Sequence, residues 1–96
     1  MTLTIIVTRD VELRYRGFLT SVMLEAAPGV YVASDMSAAV RDRIWQVMAG
    51  WWAALGRGSL TLIWRDANAV GKLRIENIGE PSKTIVDADG VLLVKR

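Results

Sequence analysis

The sequence predicts an α+β fold in which two helices pack on one face of a β-sheet. Several segments alternate apolar and polar residues, which is the period of a half-buried strand. Two longer segments instead repeat apolar residues every three or four positions, the period of a helix face. Glycine, proline or aspartate lies close to most of the points where one period gives way to the other, so turns separate the segments.

The first half of the chain contains a strand, a helix and a second strand. Residues 2–8, TLTIIVT, are rich in β-branched side chains and predict the first strand. A helical period then begins at Glu12, and its apolar face consists of Tyr15, Phe18, Leu19, Val22, Met23 and Ala26. Pro28 and Gly29 end this helix, and residues 29–34, GVYVAS, predict a short second strand.

The second half contains another helix followed by strands. Ser34, Asp35 and Ser37 are candidate N-caps for this helix, and the segment GRGS ends it. Residues 59–65 and 72–78 predict two strands around the turn DANAVG, and residues 91–96 predict a short C-terminal strand after DADG. The apolar face of the helix consists of Val40, Ile44, Val47, Met48, Trp51 and Leu55.

This order of elements is that of a ferredoxin-like sandwich, with a mixed, mainly antiparallel sheet and a compressed hairpin between the two helices. With 96 residues, positions 1–96 form a single domain. Apolar residues make up 52% of the chain, more than so small a domain hides easily, so part of the surface is expected to contact a partner. No segment is long and apolar enough to span a membrane and the N-terminus lacks the features of a signal peptide, so we expect a cytoplasmic protein.

Composition excludes several kinds of chemistry. The chain has no cysteine and no histidine, which excludes disulfides, thiolate nucleophiles, Ser-His-Asp triads and imidazole metal sites. The formal charge of +2 is a mild basic bias. Any reaction would therefore use carboxylates, hydroxyl groups, lysine or arginine.

Asp10 directly follows the first strand, and two interpretations of it stay open. Its carboxylate could be the N-cap of the first helix, accepting backbone N–H groups. It could instead bind a metal or a substrate at the strand end. One carboxylate does not hold a catalytic magnesium ion alone, so the second interpretation needs ligands from another chain or from bound phosphates.

Arg14 and Arg16 lie in the predicted first turn of the first helix, where a cation costs about 0.3–1 kcal/mol. They flank Tyr15, which belongs to the apolar face, so they leave the helix on either side of a buried residue. Together with the free N–H groups of the helix start they would suit a phosphate; solvated surface side chains are the alternative. For Trp51 and Trp64, core packing is favoured over stacking on nucleic-acid bases.

The sequence also resembles the type I-E branch of the CRISPR-associated Cas2 family. The resemblance is carried, in order over nearly the whole chain, by VT with Val11, RYRGFL, LEAAPGVYVA, RDRIWQVMAG and TIVDADGVLLV. It implies a ferredoxin-like fold and a symmetric homodimer at the centre of a spacer-acquisition complex. In that complex, dimers of the Cas1 integrase flank the Cas2-type dimer and a double-stranded protospacer DNA is held.

The resemblance also assigns roles to individual residues. Arg14 and Arg16 match duplex-contacting arginines that bind phosphates. Lys83 is the remaining charge of a basic pair whose other position is Ser82 here. DNA binding of this kind needs no cofactor. The last strand of the family docks onto the integrase, which implies partner contacts for Val91, Leu92, Leu93 and Val94.

Many relatives are described as metal-dependent endonucleases that act on RNA or duplex DNA through a carboxylate at the end of the first strand. The resembling branch usually has Glu followed by Asn there, and this chain has Arg9 and Asp10. The acid is displaced by one residue and Arg9 would repel a divalent ion. We therefore expect a non-catalytic subunit. The alternatives are a Mg²⁺-dependent endonuclease with Asp10 as its catalytic and metal-binding residue, and a small dimerisation module without a nucleic-acid role.

Overall fold

A computed structural model describes residues 2–79, together with the backbone of residues 84–88 and 91–95. In these ranges the helices are α1 (Leu13–Val22) and α2 (Ala38–Leu55), and a short 3-10 turn covers Val70–Lys72. The strands are β1 (Thr2–Arg9), β2 (Leu24–Ala27), β3 (Val30–Met36), β4 (Ser59–Arg65), β5 (Leu73–Ile78), β6 (Thr84–Ala88) and β7 (Val91–Lys95).

The first five strands form one sheet in the order β2-β3-β1-β4-β5, and β6 pairs with β7 in a separate hairpin. This confirms the α+β, ferredoxin-like arrangement. The expectation of a mixed sheet was wrong, because every ladder in the described residues is antiparallel. Each helix connects two strands that run in the same direction, β1 with β2 and β3 with β4. These strands are not neighbours, because an antiparallel strand lies between the two members of each pair.

Helix α1 ends earlier than its apolar period predicts. It stops at Val22, and Met23 is extended with φ −139° and ψ 162°, so Leu24–Ala27 forms strand β2 instead of a last helical turn. Met23 is nevertheless buried, which is why it fits the helical period. The short strand predicted between the helices is therefore one arm of a complete β2–β3 hairpin, whose turn contains Pro28 and Gly29. Residues 84–88, for which the sequence predicted no element, form β6.

Ser37 is the N-cap of helix α2, as one of the three candidates predicted. Its side-chain oxygen accepts a hydrogen bond from the N–H of Val40 at 3.2 Å, and the chain leaves the helix through Gly56 in the left-handed conformation. Neither helix in the described part of the chain is long and apolar enough to cross a membrane.

The core lies between the two helices and the sheet. On β1, Thr4 and Ile6 point into it, so the alternate residues Leu3, Ile5 and Val7 lie on the opposite face of the sheet. Within residues 2–79, the buried apolar side chains are Ile6, Tyr15, Leu19, Met23, Tyr31, Met36, Ile44, Met48, Leu60 and Leu62. The face without helices therefore also carries apolar residues.

Trp51 and Trp64 pack against this core, which confirms their predicted role. The Trp51 ring makes edge-to-face contacts with Tyr15 and Phe18, at centroid distances of 5.4 and 5.3 Å. The outer members of the predicted helix faces differ from the expectation. Val22, Val40 and Leu55 are 40–48% exposed, because each helix buries only a narrow stripe against the sheet.

The turn that leaves β1 packs tightly against the turn that enters β4. A Cβ atom at Gly58 would lie 2.5 Å from the carbonyl oxygen of Arg9 and 2.6 Å from that of Asp10. Asp10 itself has a positive φ of 56°. Trp52 donates a hydrogen bond from its indole N–H to the Gly58 carbonyl at 3.0 Å. Gly58 therefore allows the close approach that fixes the position of Asp10.

We expect Gly58→Ala to destabilise the protein more than Gly56→Ala. Both glycines have positive φ, but a Cβ at Gly56 meets nothing within 4 Å. Gly56→Ala should lower the free energy of unfolding by about 1–2 kcal/mol, the cost of a left-handed alanine. Gly58→Ala should cost about 1–3 kcal/mol more, because the backbones must separate. Denaturant unfolding measures both, and equal losses would show that the close approach is unimportant.

Candidate nucleic-acid interface

The candidate site lies where β1 ends and α1 begins. A cleft of about 530 Å³ opens there between the end of β1, the first turn of α1 and the β2–β3 turn. The side chains in it that carry chemistry are Thr8, Asp10, Glu12, Arg16, Glu25 and Tyr31. The two β-ladders of β1 and the start of α1 thus place one predicted phosphate contact, Arg16, and the predicted carboxylate, Asp10, in the same cleft.

Asp10 does not cap helix α1, so that interpretation was wrong. Val11 and Glu12 separate Asp10 from the first helical residue, Leu13, and Glu12 is extended with φ −72° and ψ 159°. Glu12 occupies the N-cap position, but its side chain accepts no capping hydrogen bond. The side chain of Asp10 is exposed at the edge of the cleft.

The surroundings of Asp10 also bear on its second interpretation, as a metal ligand. Residues 2–79 contain no group of three or more Asp and Glu side chains close enough together to hold a metal ion. Asp10 supplies one carboxylate, and Mg²⁺ in proteins is held by one or two carboxylates completed by water and substrate phosphates. A magnesium ion at Asp10 would therefore need further ligands from water, from substrate phosphates or from a second chain.

Arg14 is held against helix α2. Its guanidinium carbon lies 5.5 Å from the centroid of the Trp51 ring, within the range of a cation–π contact. Trp51 is itself fixed by its contacts with Tyr15 and Phe18. Arg14 remains exposed, so this contact orients a charge that still faces solvent.

Arg16 turns the other way, towards strand β2. Its Nε and Nη2 atoms both lie 3.2 Å from Oε1 of Glu25. The Arg16 side chain is 63% exposed and that of Glu25 only 20%. An ion pair with one such exposed partner contributes at most about 1 kcal/mol to stability, so its main effect is on where the guanidinium group lies.

Tyr15 separates the two arginines. Its side chain is 1% exposed, and its hydroxyl is the one buried polar side-chain atom without a hydrogen-bond partner in the described residues. Burial raises the pKa of this hydroxyl, and the charge of Glu12 raises it further. Arg14 and Arg16 thus leave α1 on either side of a buried residue, as the sequence predicted.

For the remaining predicted site residues, the structure describes no side chains. Lys83 and its neighbour Ser82 lie outside the described residues. The predicted integrase contacts belong to β7, whose backbone pairs with that of β6: Val91, Leu92, Leu93 and Val94. Only the backbone of these residues is described.

The structure shows contacts of the two arginines with two residues that the sequence did not assign to the site. Trp51 was predicted as core alone, and its contact with Arg14 depends on the packing of α1 against α2. Glu25 was predicted to lie in α1, nine positions after Arg16. No sequence signal pairs the two residues, because the pairing arises only when the chain reverses into β2 and β3.

Comparison with known families identifies the chain. A family model described as CRISPR-associated protein (Cas_Cas2CT1978) matches residues 3–93. The match begins in β1, ends in β7 and includes the whole of the site formed by β1, α1 and the β2–β3 hairpin. Because the match covers nearly the whole chain, the protein belongs to this Cas2 family and has a CRISPR-associated role.

Proposed function

We propose that this protein is a non-catalytic subunit of a CRISPR spacer-acquisition complex of the type I-E branch, in which a homodimer binds duplex DNA through its phosphates. The observation that carries the proposal is the pair of exposed arginines in the first turns of α1. Each is oriented by a contact with its own protein, Arg14 by Trp51 and Arg16 by Glu25. Arginines oriented in this way suit phosphate oxygens, which they can contact with two parallel N–H groups.

The electrostatics around these arginines favour weak, non-sequence-specific contacts. The first turn of α1 has no acidic residue, so its free N–H groups add to the positive potential. Asp10, Glu12 and Glu25 lie on the Arg16 side of the site and reduce that potential. Contacts to phosphate position a duplex but carry no sequence information. Several such contacts must therefore act together.

A homodimer would multiply these contacts. The sheet face away from the helices carries an apolar row, one residue from each strand in register: Leu24, Val32, Ile5, Ile63 and Ile75. No element within residues 2–79 covers this row. A second copy packed on it would bury apolar surface and relate two Arg14–Arg16 pairs by a twofold axis, which matches the pseudo-symmetry of a DNA duplex.

The proposed protein partner of the homodimer is the Cas1 integrase. The resemblance assigns this contact to Val91–Val94, and β7 is paired with β6 in a hairpin of its own. A two-stranded hairpin of this kind can take up an extended segment of a partner by strand addition. Lys83, just before β6, stays a predicted third phosphate contact in each subunit.

We expect duplex binding to depend steeply on salt. Two copies each of Arg14, Arg16 and Lys83 make six phosphate contacts, so affinity should fall about a thousandfold between 50 and 200 mM salt. Arg14→Ala and Arg16→Ala should each reduce the slope of log Kd against log salt by about 2, because the dimer loses two contacts. Fluorescence anisotropy with a mixed-sequence duplex measures this. Arg65→Ala, at the far end of β4, is the matched control.

The proposal would be contradicted by binding that is insensitive to salt or strongly sequence-specific. An equal loss in Arg65→Ala would show that general charge, not the α1 arginines, binds the duplex. Intact binding after charge reversal of both Arg14 and Arg16 would favour the dimerisation module without a nucleic-acid role.

We expect Ile63→Glu to convert the dimer to monomer. Ile63 lies in the middle of the uncovered row, and a buried, unpaired carboxylate at the interface costs several kcal/mol. Val40→Glu is the control, because Val40 is also an apolar residue at the surface but lies on the helix layer. Sedimentation velocity measures the mass of each variant. A wild-type monomer at tens of micromolar, or a dimeric Ile63→Glu variant, would argue against this interface.

The alternative function is a Mg²⁺-dependent endonuclease, and the observation in its favour is that Asp10 lies in the cleft that Arg16 also lines. Duplex DNA and RNA should be incubated with the purified dimer and Mg²⁺ or Mn²⁺, beside Asp10→Ala. We expect wild type and Asp10→Ala to show the same background, because Arg9 directly beside Asp10 repels a divalent ion and the described residues contain no group of three or more metal-binding side chains. Cleavage that is lost in the variant would replace the binding proposal with the enzymatic one.

A further inference from the structure

We propose that Glu25 is a positioning residue that holds Arg16 ready for a phosphate, and this inference rests on the proposed DNA-binding function. The contact has a specific geometry. Nε and Nη2 of Arg16 both point to one carboxylate oxygen, Oε1 of Glu25, at 3.2 Å. A guanidinium group has five N–H donors, so this contact uses one edge of it. The other edge, formed by Nη1 and the second proton of Nη2, is left for two parallel bonds to a phosphate.

Glu25 is the fixed member of the pair. Its second oxygen, Oε2, accepts the backbone N–H of Gly29 at 3.4 Å, which ties it to the β2–β3 turn. It also lies opposite the buried Tyr31 in the β2–β3 ladder. Burial raises the pKa of the Tyr31 hydroxyl, and the nearby charge of Glu25 raises it further. The carboxylate is thus held by the sheet, whereas the Arg16 side chain reaches into solvent.

Glu25 has two opposite effects on a bound phosphate. Its negative charge repels the phosphate, but across the guanidinium group, about 7 Å through water, this costs less than about threefold in affinity, and salt screens it further. Ordering a long side chain on binding costs about 2- to 12-fold for each side chain. Glu25 removes that cost for Arg16 in each subunit. Positioning is therefore the larger of the two effects.

A double-mutant cycle on the full-length protein tests this, with the same duplex and salt series. Glu25→Ala should weaken binding by about 2- to 50-fold, because both Arg16 side chains of a dimer lose their orientation and this loss outweighs the relieved repulsion. Glu25→Gln keeps one acceptor oxygen, which can accept from Arg16, but its amide NH2 group cannot accept from Gly29; it should bind more weakly than wild type and more tightly than Glu25→Ala. Glu25→Ala should cause no further loss in an Arg16→Ala background but its full loss in an Arg14→Ala background. The Arg14→Ala background is the matched control.

Three results would overturn the positioning role. Unchanged or tighter binding by Glu25→Ala would show that the charge of Glu25 competes with DNA. An equal loss in the Arg16→Ala background would show that Glu25 acts only on the β2–β3 turn. Binding by Glu25→Gln as weak as by Glu25→Ala would exclude positioning through the hydrogen bond. The proposed function fails separately, and this inference with it, if wild type does not bind the duplex or if Arg16→Ala leaves binding unchanged.

Discussion

The antiparallel pairing of β1 with β3 on one side and β4 on the other determines where the site lies. Both ladders bring turns to the end of β1, because Val7 pairs with Val30 and Arg9 with Ser59. The start of α1, the β2–β3 turn and the entry to β4 therefore meet at one end of the sheet. Side chains separated by many residues in sequence, such as Arg16 and Glu25, become neighbours only through this arrangement.

The site shows how a small domain can present cations at a helix start, where they are disfavoured. Each arginine in the first turns of α1 gains a compensating contact from a different layer of the fold. Arg14 lies against an aromatic ring from the helix layer, and Arg16 against a carboxylate from the sheet layer. Neither contact buries the charge, so both guanidinium groups remain accessible to an anion. The family to which the chain belongs places this geometry in a CRISPR-associated protein.

Much of the fold could be predicted from the sequence, because local chemistry is strong at several points. The cap residues before α2, the Pro28–Gly29 turn and the β-branched composition of β1 each favour one type of local structure. Where two different local structures bury the same apolar residues, the prediction from the sequence was wrong. Met23 is buried equally well by a helix continuing to Ala26 and by the strand β2 that the structure contains. For the same reason the positions of Arg14 and Arg16 on either side of Tyr15 could be predicted from the helical period, but the pairing of Arg16 with Glu25 could not.

The alternation along β1 also could not show which face the helices would cover, since both faces are apolar. Thr4 and Ile6 line the core, while Ile5 belongs to the row that crosses all five strands on the other side. Residues 2–79 of a single copy cover only one of these two apolar surfaces. If the second surface is completed by another copy, the free energy of unfolding depends on protein concentration, and the melting temperature rises as the solution becomes more concentrated. Folding and assembly of such a chain are then two parts of one equilibrium.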